Sequence, residues 1–460
     1  MKIFNKFYRH HFEGETGIKT ILQISFPIMI SQACESLMMF TDRYFLTKID
    51  GVGPSASMVG GFTSFLLSIF LVGLLGFINP LVAQYKGAAR GEKVALVIGQ
   101  GSIIALLAYP LILLVGYFLV PSYFSFIGIH EEERKAALDY FFVINLGTIF
   151  LLMKTTFASY FSGIKKTRIV MISNLLGLIV NVPATYFLVF GGLGSYFSGV
   201  RGAALATVFS ECLTVVVFLY SYRFILKQKI ALRIDPEIMK KLFTFGASSG
   251  MELFLIFFAF SNFVNLFHSY GTQEALAMTI TFNWDILAFL PLLGLNFGLM
   301  GIIGEFMGGR SIDKALESTF SGLKIALTIT LYSSFAFLFY TEELISFFLP
   351  PGESPAEIIA IAGPMLKSVS LYIFASSVNM VLTALLRASG DTKGCLMISV
   401  STFWSVLFLS YFGIKHWEWK SFSVWLLFVG GMFIQSLLYY ARFRQGLWRK
   451  IEIVKKTFHV

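Results

Sequence analysis

Twelve separate apolar runs, each near or above the ~20 residues a helix needs to cross a bilayer, restrict this chain to a bundle of membrane-spanning helices. The runs fall near 20–46, 57–85, 94–119, 136–161, 169–190, 201–225, 242–268, 275–307, 315–340, 358–386, 395–414 and 421–443. Those near 57–85 and 275–307 exceed one span and must tilt or project beyond the bilayer. Composition agrees. Charged residues make up 13% of the chain, about half the ~25% with which a soluble domain solvates its surface, so most of the surface is expected to face lipid. Cys34, Cys212 and Cys395 lie scattered in apolar stretches and make neither a disulfide framework nor a metal-ligand set. The first residues lack a short apolar core with a small-residue cleavage site, so no removable leader is expected.

Lysine and arginine orient the bundle. Of the 36, 26 fall in segments on the side of the two termini and 6 in the opposite loops; Arg43, Lys154, Lys324 and Lys367 lie inside spans. Basic loops stay inside, which puts both termini in the cytoplasm and requires an even number of helices in a plasma (inner) membrane. The net charge of +10 is then an orientation signal and a contact with anionic lipid, and it calls for no nucleic-acid partner. The basic stretches Lys2–Lys19 and Arg442–Lys456 are expected at the membrane surface.

The chain is written twice. After helix 2 it runs Ala83-Gln84-Tyr85-Lys86-Gly87-Ala88-Ala89-Arg90-Gly91-Glu92-Lys93, and after helix 8 Gly304-Glu305-Phe306-Met307-Gly308-Gly309-Arg310-Ser311-Ile312-Asp313-Lys314. Gly87 aligns with Gly308, and Glu92-Lys93 with Asp313-Lys314. The loops after helices 4 and 10 also match, Ser162-Gly163 with Ser389-Gly390 and Met171-Ile172-Ser173 with Met397-Ile398-Ser399. One such loop is ordinary helix termination; two matching pairs in the same order point to a parallel duplication. The expected architecture is an all-α membrane protein of two six-helix lobes related by a pseudo-two-fold axis. Its divisions are an N-terminal segment 1–19, an N-lobe 20–226, a cytoplasmic linker 227–241, a C-lobe 242–443 and a basic tail 444–460.

Four stretches then resemble the multidrug and toxic compound extrusion (MATE) family. They are Pro27, Gln32 and Asp42 in helix 1; Ala83-Gln84-Tyr85-Lys86-Gly87-Ala88; Asn174 and Asn181 followed by Gly202-Ala203-Ala204-Leu205-Ala206-Thr207; and Leu386-Arg387-Ala388-Ser389-Gly390-Asp391-Thr392. The resemblance implies exchange of H⁺ or Na⁺ for organic, often cationic, solutes, with no other cofactor. It implies an ion-coupling role for Asp42 and for Glu252 in helix 7, each a place where Na⁺ would bind. The pattern departs twice. Some members carry an Asp four residues after the helix-5 Asn, where this chain has Thr185; others carry an acid eleven residues before the Leu-Arg pair, where it has Ser376.

An ionised side chain near the bilayer centre costs at least ~2.5–3.5 kcal/mol, so each buried acid must be paired, hydrated, ion-bound or protonated. Asp42 either couples or caps a helix end and pairs with Arg43. Glu35, seven residues earlier on the same face, either lines the N-lobe cavity or makes an inter-helix bond. Glu252 and Asp285 are the corresponding C-lobe candidates. Glu211 with Lys154 and Asp285 with Lys367 are the salt bridges that compete with these roles. Gln32, Asn181, Thr207 and Ser376 are candidate lining residues, with helix–helix bonding as the alternative. Together these readings point to a cation-coupled antiporter working by alternating access, with bulky hydrophobic cations as solutes and a monomer as the working form. A lipid or lipid-linked oligosaccharide flippase of the same broad superfamily is the alternative. Such proteins need cationic side chains for anionic head groups, and here Arg43, Lys154 and Lys367 are the ones clearly within spans. No nucleotide loop, metal cluster or catalytic triad suggests an enzyme.

Overall fold

A computed structural model describes residues 12–49, 51–126, 130–349 and 355–454. Among them are twelve helices long and apolar enough to cross a membrane. They are α1 (Ile18–Leu46), α2 (Gly53–Gly87), α3 (Gly91–Phe126), α4 (Glu131–Gly163), α5 (Thr167–Val189) and α6 (Gly199–Ile225) in the first half. The second half holds α7 (Pro236–Tyr270), α8 (Thr272–Gly308), α9 (Ile312–Phe339), α10 (Pro355–Ala388), α11 (Thr392–Lys415) and α12 (Ser421–Gln445). Each matches an expected run. The largest differences are extensions: α3 runs seven residues beyond the run ending at 119, and α7 starts at Pro236. The early start has a local cause. Asp235 caps α7 by accepting from the Ile238 N–H at 3.1 Å, Pro236 fits the first turn, and a π-helical turn at Leu242–Gly246 carries the helix past Lys240 and Lys241.

The duplication is visible in backbone geometry. Four loops, after α2, α4, α8 and α10, each place one residue in the left-handed region: Ala89, Lys165, Arg310 and Gly390. In each, the next residue donates back across the turn to a carbonyl five positions earlier: Arg90 to Tyr85, Lys166 to Phe161, Ser311 to Phe306 and Asp391 to Leu386, at 2.8–2.9 Å. These are Schellman closures. Three of the four left-handed positions are not glycine; of the loop glycines that mark the repeat, Gly390 fills the left-handed position, whereas Gly87, Gly163 and Gly308 end their helices.

Packing divides the chain into two units, Ile30–Gly250 and, in the other, the residues up to Met29 together with those from Met251 onward. The cuts fall inside α1 and α7 rather than between chain halves. In the first unit α2 packs on α4 and α5 on α6; in the second α8 packs on α10 and α11 on α12. The start of α7 belongs to the first unit, where Gly250 lies so close to α2 that an added Cβ would stand 2.2 Å from the Phe70 carbonyl oxygen. The start of α1 belongs to the second, where a Cβ added at Gly298 of α8 would stand 3.0 Å from the Ser25 Cα. Each exchanged helix start is thus admitted by a glycine that permits backbone approach.

The chain after each half folds back on its own unit. After α6 it lies along α3: Gln100 donates to the Arg233 carbonyl at 2.6 Å and accepts from the Asp235 N–H at 3.0 Å. Lys93 then pairs with Asp235 at 2.5 Å and with Glu237 at 3.3 Å. Burial alone would raise the Asp235 carboxyl, but the Lys93 ammonium and the Ile238 N–H outweigh it and hold it below the usual carboxylate range. After α12, Glu452 pairs with Arg310 at 2.9 Å, both side chains about half exposed.

Candidate functional site

Asp42 sits one turn before the end of α1 and is buried, 4% exposed. Thr185 of α5 donates to its Oδ1 at 2.8 Å and Thr207 of α6 to its Oδ2 at 2.5 Å. Asn181, one turn before Thr185, is fully buried beside the carboxylate, and among the described residues neither its amide nitrogen nor its oxygen makes a well-formed hydrogen bond. Arg43 is exposed and forms no ion pair with Asp42 among the described residues. The carboxylate is therefore surrounded by neutral oxygens and one unbonded amide, a donor set suited to a proton or a hard monovalent cation. Among the described residues no three or more His, Cys, Asp or Glu side chains gather as a metal cluster.

Two turns earlier on α1, Glu35 accepts from Asn174 of α5 at 3.3 Å and lies 3.7 Å from Lys154 Nζ of α4. Lys154 donates to Glu211 of α6 at 3.1 Å. Asn174 also donates to Ser31 Oγ. Gln32 is half-buried nearby on α1 and makes no hydrogen bond among the described residues.

In the second unit Glu252, on α7, is fully buried. Its Oε1 accepts from Ser399 of α11 at 2.8 Å and lies 3.0 Å from Arg387 Nη2 of α10. Ser399 also contacts the Tyr439 hydroxyl at 2.5 Å and accepts from Gln435 at 3.3 Å, both on α12. Among the described residues Glu252 Oε2 and Arg387 Nε find no hydrogen-bond partner. Asp285 is half-buried beside the Tyr372 hydroxyl of α10. Lys367 is exposed and makes no ion pair with Asp285 among the described residues, so that expected bridge is absent. Ser376 is buried in α10, without a hydrogen bond among the described residues.

The MatE family model matches residues 27–187 and 249–412, one segment in each half. The chain belongs to the MatE family. It is a two-lobed, twelve-helix, multi-pass membrane protein. Among MatE relatives, a probable multidrug resistance protein NorM of Pasteurella multocida is 25% identical over 396 residues, covering 84% of each chain. One of Bacillus cereus is 24% identical over 428 residues, covering 90% of this chain and 92% of the relative. Two solved structures share the fold. A MOP superfamily transporter from Pyrococcus furiosus, described as having a binding pocket of reverse polarity, has a TM-score of 0.86 at 18% identity and covers 94% of this chain and 96% of its own. An outward-facing multidrug resistance MATE family transporter has a TM-score of 0.83 at 20% identity, over 94% of this chain and 97% of its own.

Set on this MatE fold, the sequence-derived residues sort themselves. Asp42, Asn181 and Thr207 meet, as do Glu35, Lys154 and Glu211; Gln32, Ser376 and Asp285 join neither group. Thr185, noted in the sequence as a departure from the family pattern, turns out to be an Asp42 donor. The Arg387–Glu252 pair was missed, although Arg387 stood in a quoted motif, because 135 residues separate the partners.

Proposed function

We propose that the protein exports bulky organic cations across a plasma membrane in exchange for H⁺ or Na⁺, by alternating access between its two lobes. Both termini lie in the cytoplasm on this reading. The observation that carries it is Asp42: a buried carboxylate bonded by two hydroxyls, with no ion-pair partner among the described residues and the Asn181 amide at its side. Such a group stays in lipid at acceptable cost only by taking up a proton or cation, which makes it an ion-dependent switch. The curated relatives named as multidrug resistance proteins support solute export. Na⁺, where it is the coupling ion, takes oxygens from Asp42, Thr185, Thr207 and Asn181. Glu252, already neutralised by Arg387, serves to join α7 to α10.

A flippase is not favoured by the family match. An anionic head group needs free buried cations, and Lys154 and Arg387 are each committed to a carboxylate. The test is purified protein in liposomes with a pH gradient and a Na⁺ gradient imposed separately. Efflux of a cationic dye under one gradient supports exchange and names the ion. Efflux under neither gradient, or scrambling of a fluorescent lipid without one, sinks the proposal.

A further inference from the structure

Lys154 lies within membrane-spanning α4, where an ammonium is costly unless paired. It has two acidic neighbours that hold it unequally. The Glu211 contact, 3.1 Å, is a hydrogen bond; the Glu35 contact, 3.7 Å, is an ion contact too long for one. Their access differs as well, the Glu211 side chain being 16% exposed and that of Glu35 39%. The remaining hold on Glu35 is the Asn174 amide, itself shared with Ser31. The facing groups are therefore Glu35 and Ser31 from α1, Lys154 from α4, Asn174 from α5 and Glu211 from α6. With all three charged groups ionised the cluster carries one net negative charge: Lys154 offsets Glu211, and Glu35 remains over.

We propose that Lys154 is a specificity-determining residue, a resident cation that fills the Glu211 half of a two-carboxylate site so that Glu35 accepts one monovalent organic cation and a dication is refused. The inference rests on the export of organic cations proposed above. Lysine suits this role, since its compact charge on a flexible stem shifts toward Glu211 when a substrate cation takes Glu35. Without it, two carboxylates would share one site, and that site would favour two positive charges.

Binding of tetraphenylphosphonium, a monocation, and methyl viologen, a dication, to the purified full-length protein tests this. Wild type should prefer the monocation. Lys154→Gln should move the affinity ratio toward the dication by at least ~10-fold, while Lys154→Arg should keep the wild-type ratio. The double variant Lys154→Gln/Glu211→Gln, with Glu35 alone, should regain the preference and bind the monocation at least as tightly as wild type. It also serves where the single variant does not fold. An unchanged ratio in Lys154→Gln, or lost monocation binding in the double variant, overturns the assignment to Lys154. A wild type that neither binds nor exports the monocation overturns the export reading beneath it.

Discussion

Asp42 and Glu252 are both buried carboxylates on exchanged helices, one in each packing unit, and the protein treats them oppositely. Asp42 is met by two hydroxyl donors and forms no ion pair among the described residues. Glu252 is met by a guanidinium at 3.0 Å and a serine hydroxyl, so its charge is matched inside the protein. Neutral donors stabilise an anion by ~1.5–3 kcal/mol per bond without fixing its net charge, so the state of such a site follows the ion supply outside. A counter-cation fixes the charge instead, and breaking the pair costs ~3–5 kcal/mol. Two similar acids on a duplicated fold thus sit in opposite settings, one among neutral donors and the other against a counter-cation.

The contrast breaks most easily at Asp42. Asp42→Asn keeps size and one hydroxyl bond, lets the new amide donate to the other hydroxyl, and removes the charge, so gradient-driven dye efflux from liposomes should fall to background while detergent thermal stability stays near wild type. Undiminished, gradient-dependent efflux would move the coupling role to the other unit.

Arg387→Met should do the reverse. It leaves Glu252 buried without its counter-cation, and a loss of ~3–5 kcal/mol is expected, read as a lowered midpoint in thermal denaturation. Adding Glu252→Gln should recover most of that loss, because both ends of the pair are then neutral. A midpoint for Arg387→Met no lower than that of Asp42→Asn would erase the distinction.

The sequence carried the fold well and the sites unevenly. Twelve apolar runs are local signals, and each became a helix. The start of α7 was obscured because its first turns hold Lys240 and Lys241, and Lys241 pairs with Glu237 one turn earlier and donates to the Tyr85 hydroxyl of α2. Asp42 with Asn181 and Thr207 was legible because the family pattern places these residue types together. The use of Thr185 and the Arg387–Glu252 pair depend on which faces of distant helices meet, which no local pattern encodes. The exchange of the α1 and α7 starts rests on close approach at Gly298 and Gly250, and single glycines in apolar runs do not say what approaches them.

The two backfolded segments extend the comparison to the ends of the units. The linker clamp is built on partly buried ions, Lys93 with Asp235 and Glu237, whereas the tail rests on the exposed Arg310–Glu452 pair. The Asp235 carboxyl is held below its ordinary range, so its contribution is present above the unfolded value of ~3.9 and is lost as pH falls through the lower folded value. Hydrogen exchange of residues 229–241, taken relative to the intrinsic rate at each pH, should therefore stay slow at neutral pH and quicken only in strong acid. Asp235→Asn should quicken it already at neutral pH. The tail pair should instead weaken with salt at neutral pH. Equal salt sensitivity at both ends would contradict the difference in burial.

The smallest expected effect tests what the halves share. Ala89 and Arg310 occupy the same left-handed position in matching loops, with φ of 57° and 59°. A side chain there costs roughly 1–2 kcal/mol, while glycine gives back roughly 0.5–1 kcal/mol through the entropy of the unfolded chain. Ala89→Gly should accordingly stabilise by about 0.5–1 kcal/mol. Arg310→Gly relieves the same strain but also removes the pair with Glu452, worth ~0–1 kcal/mol at an exposed site, so its gain should be smaller and should rise toward that of Ala89→Gly in high salt. Thermal midpoints of both variants at low and high salt decide the matter. A loss of stability for Ala89→Gly would show that the alanine side chain contributes packing that outweighs the backbone strain.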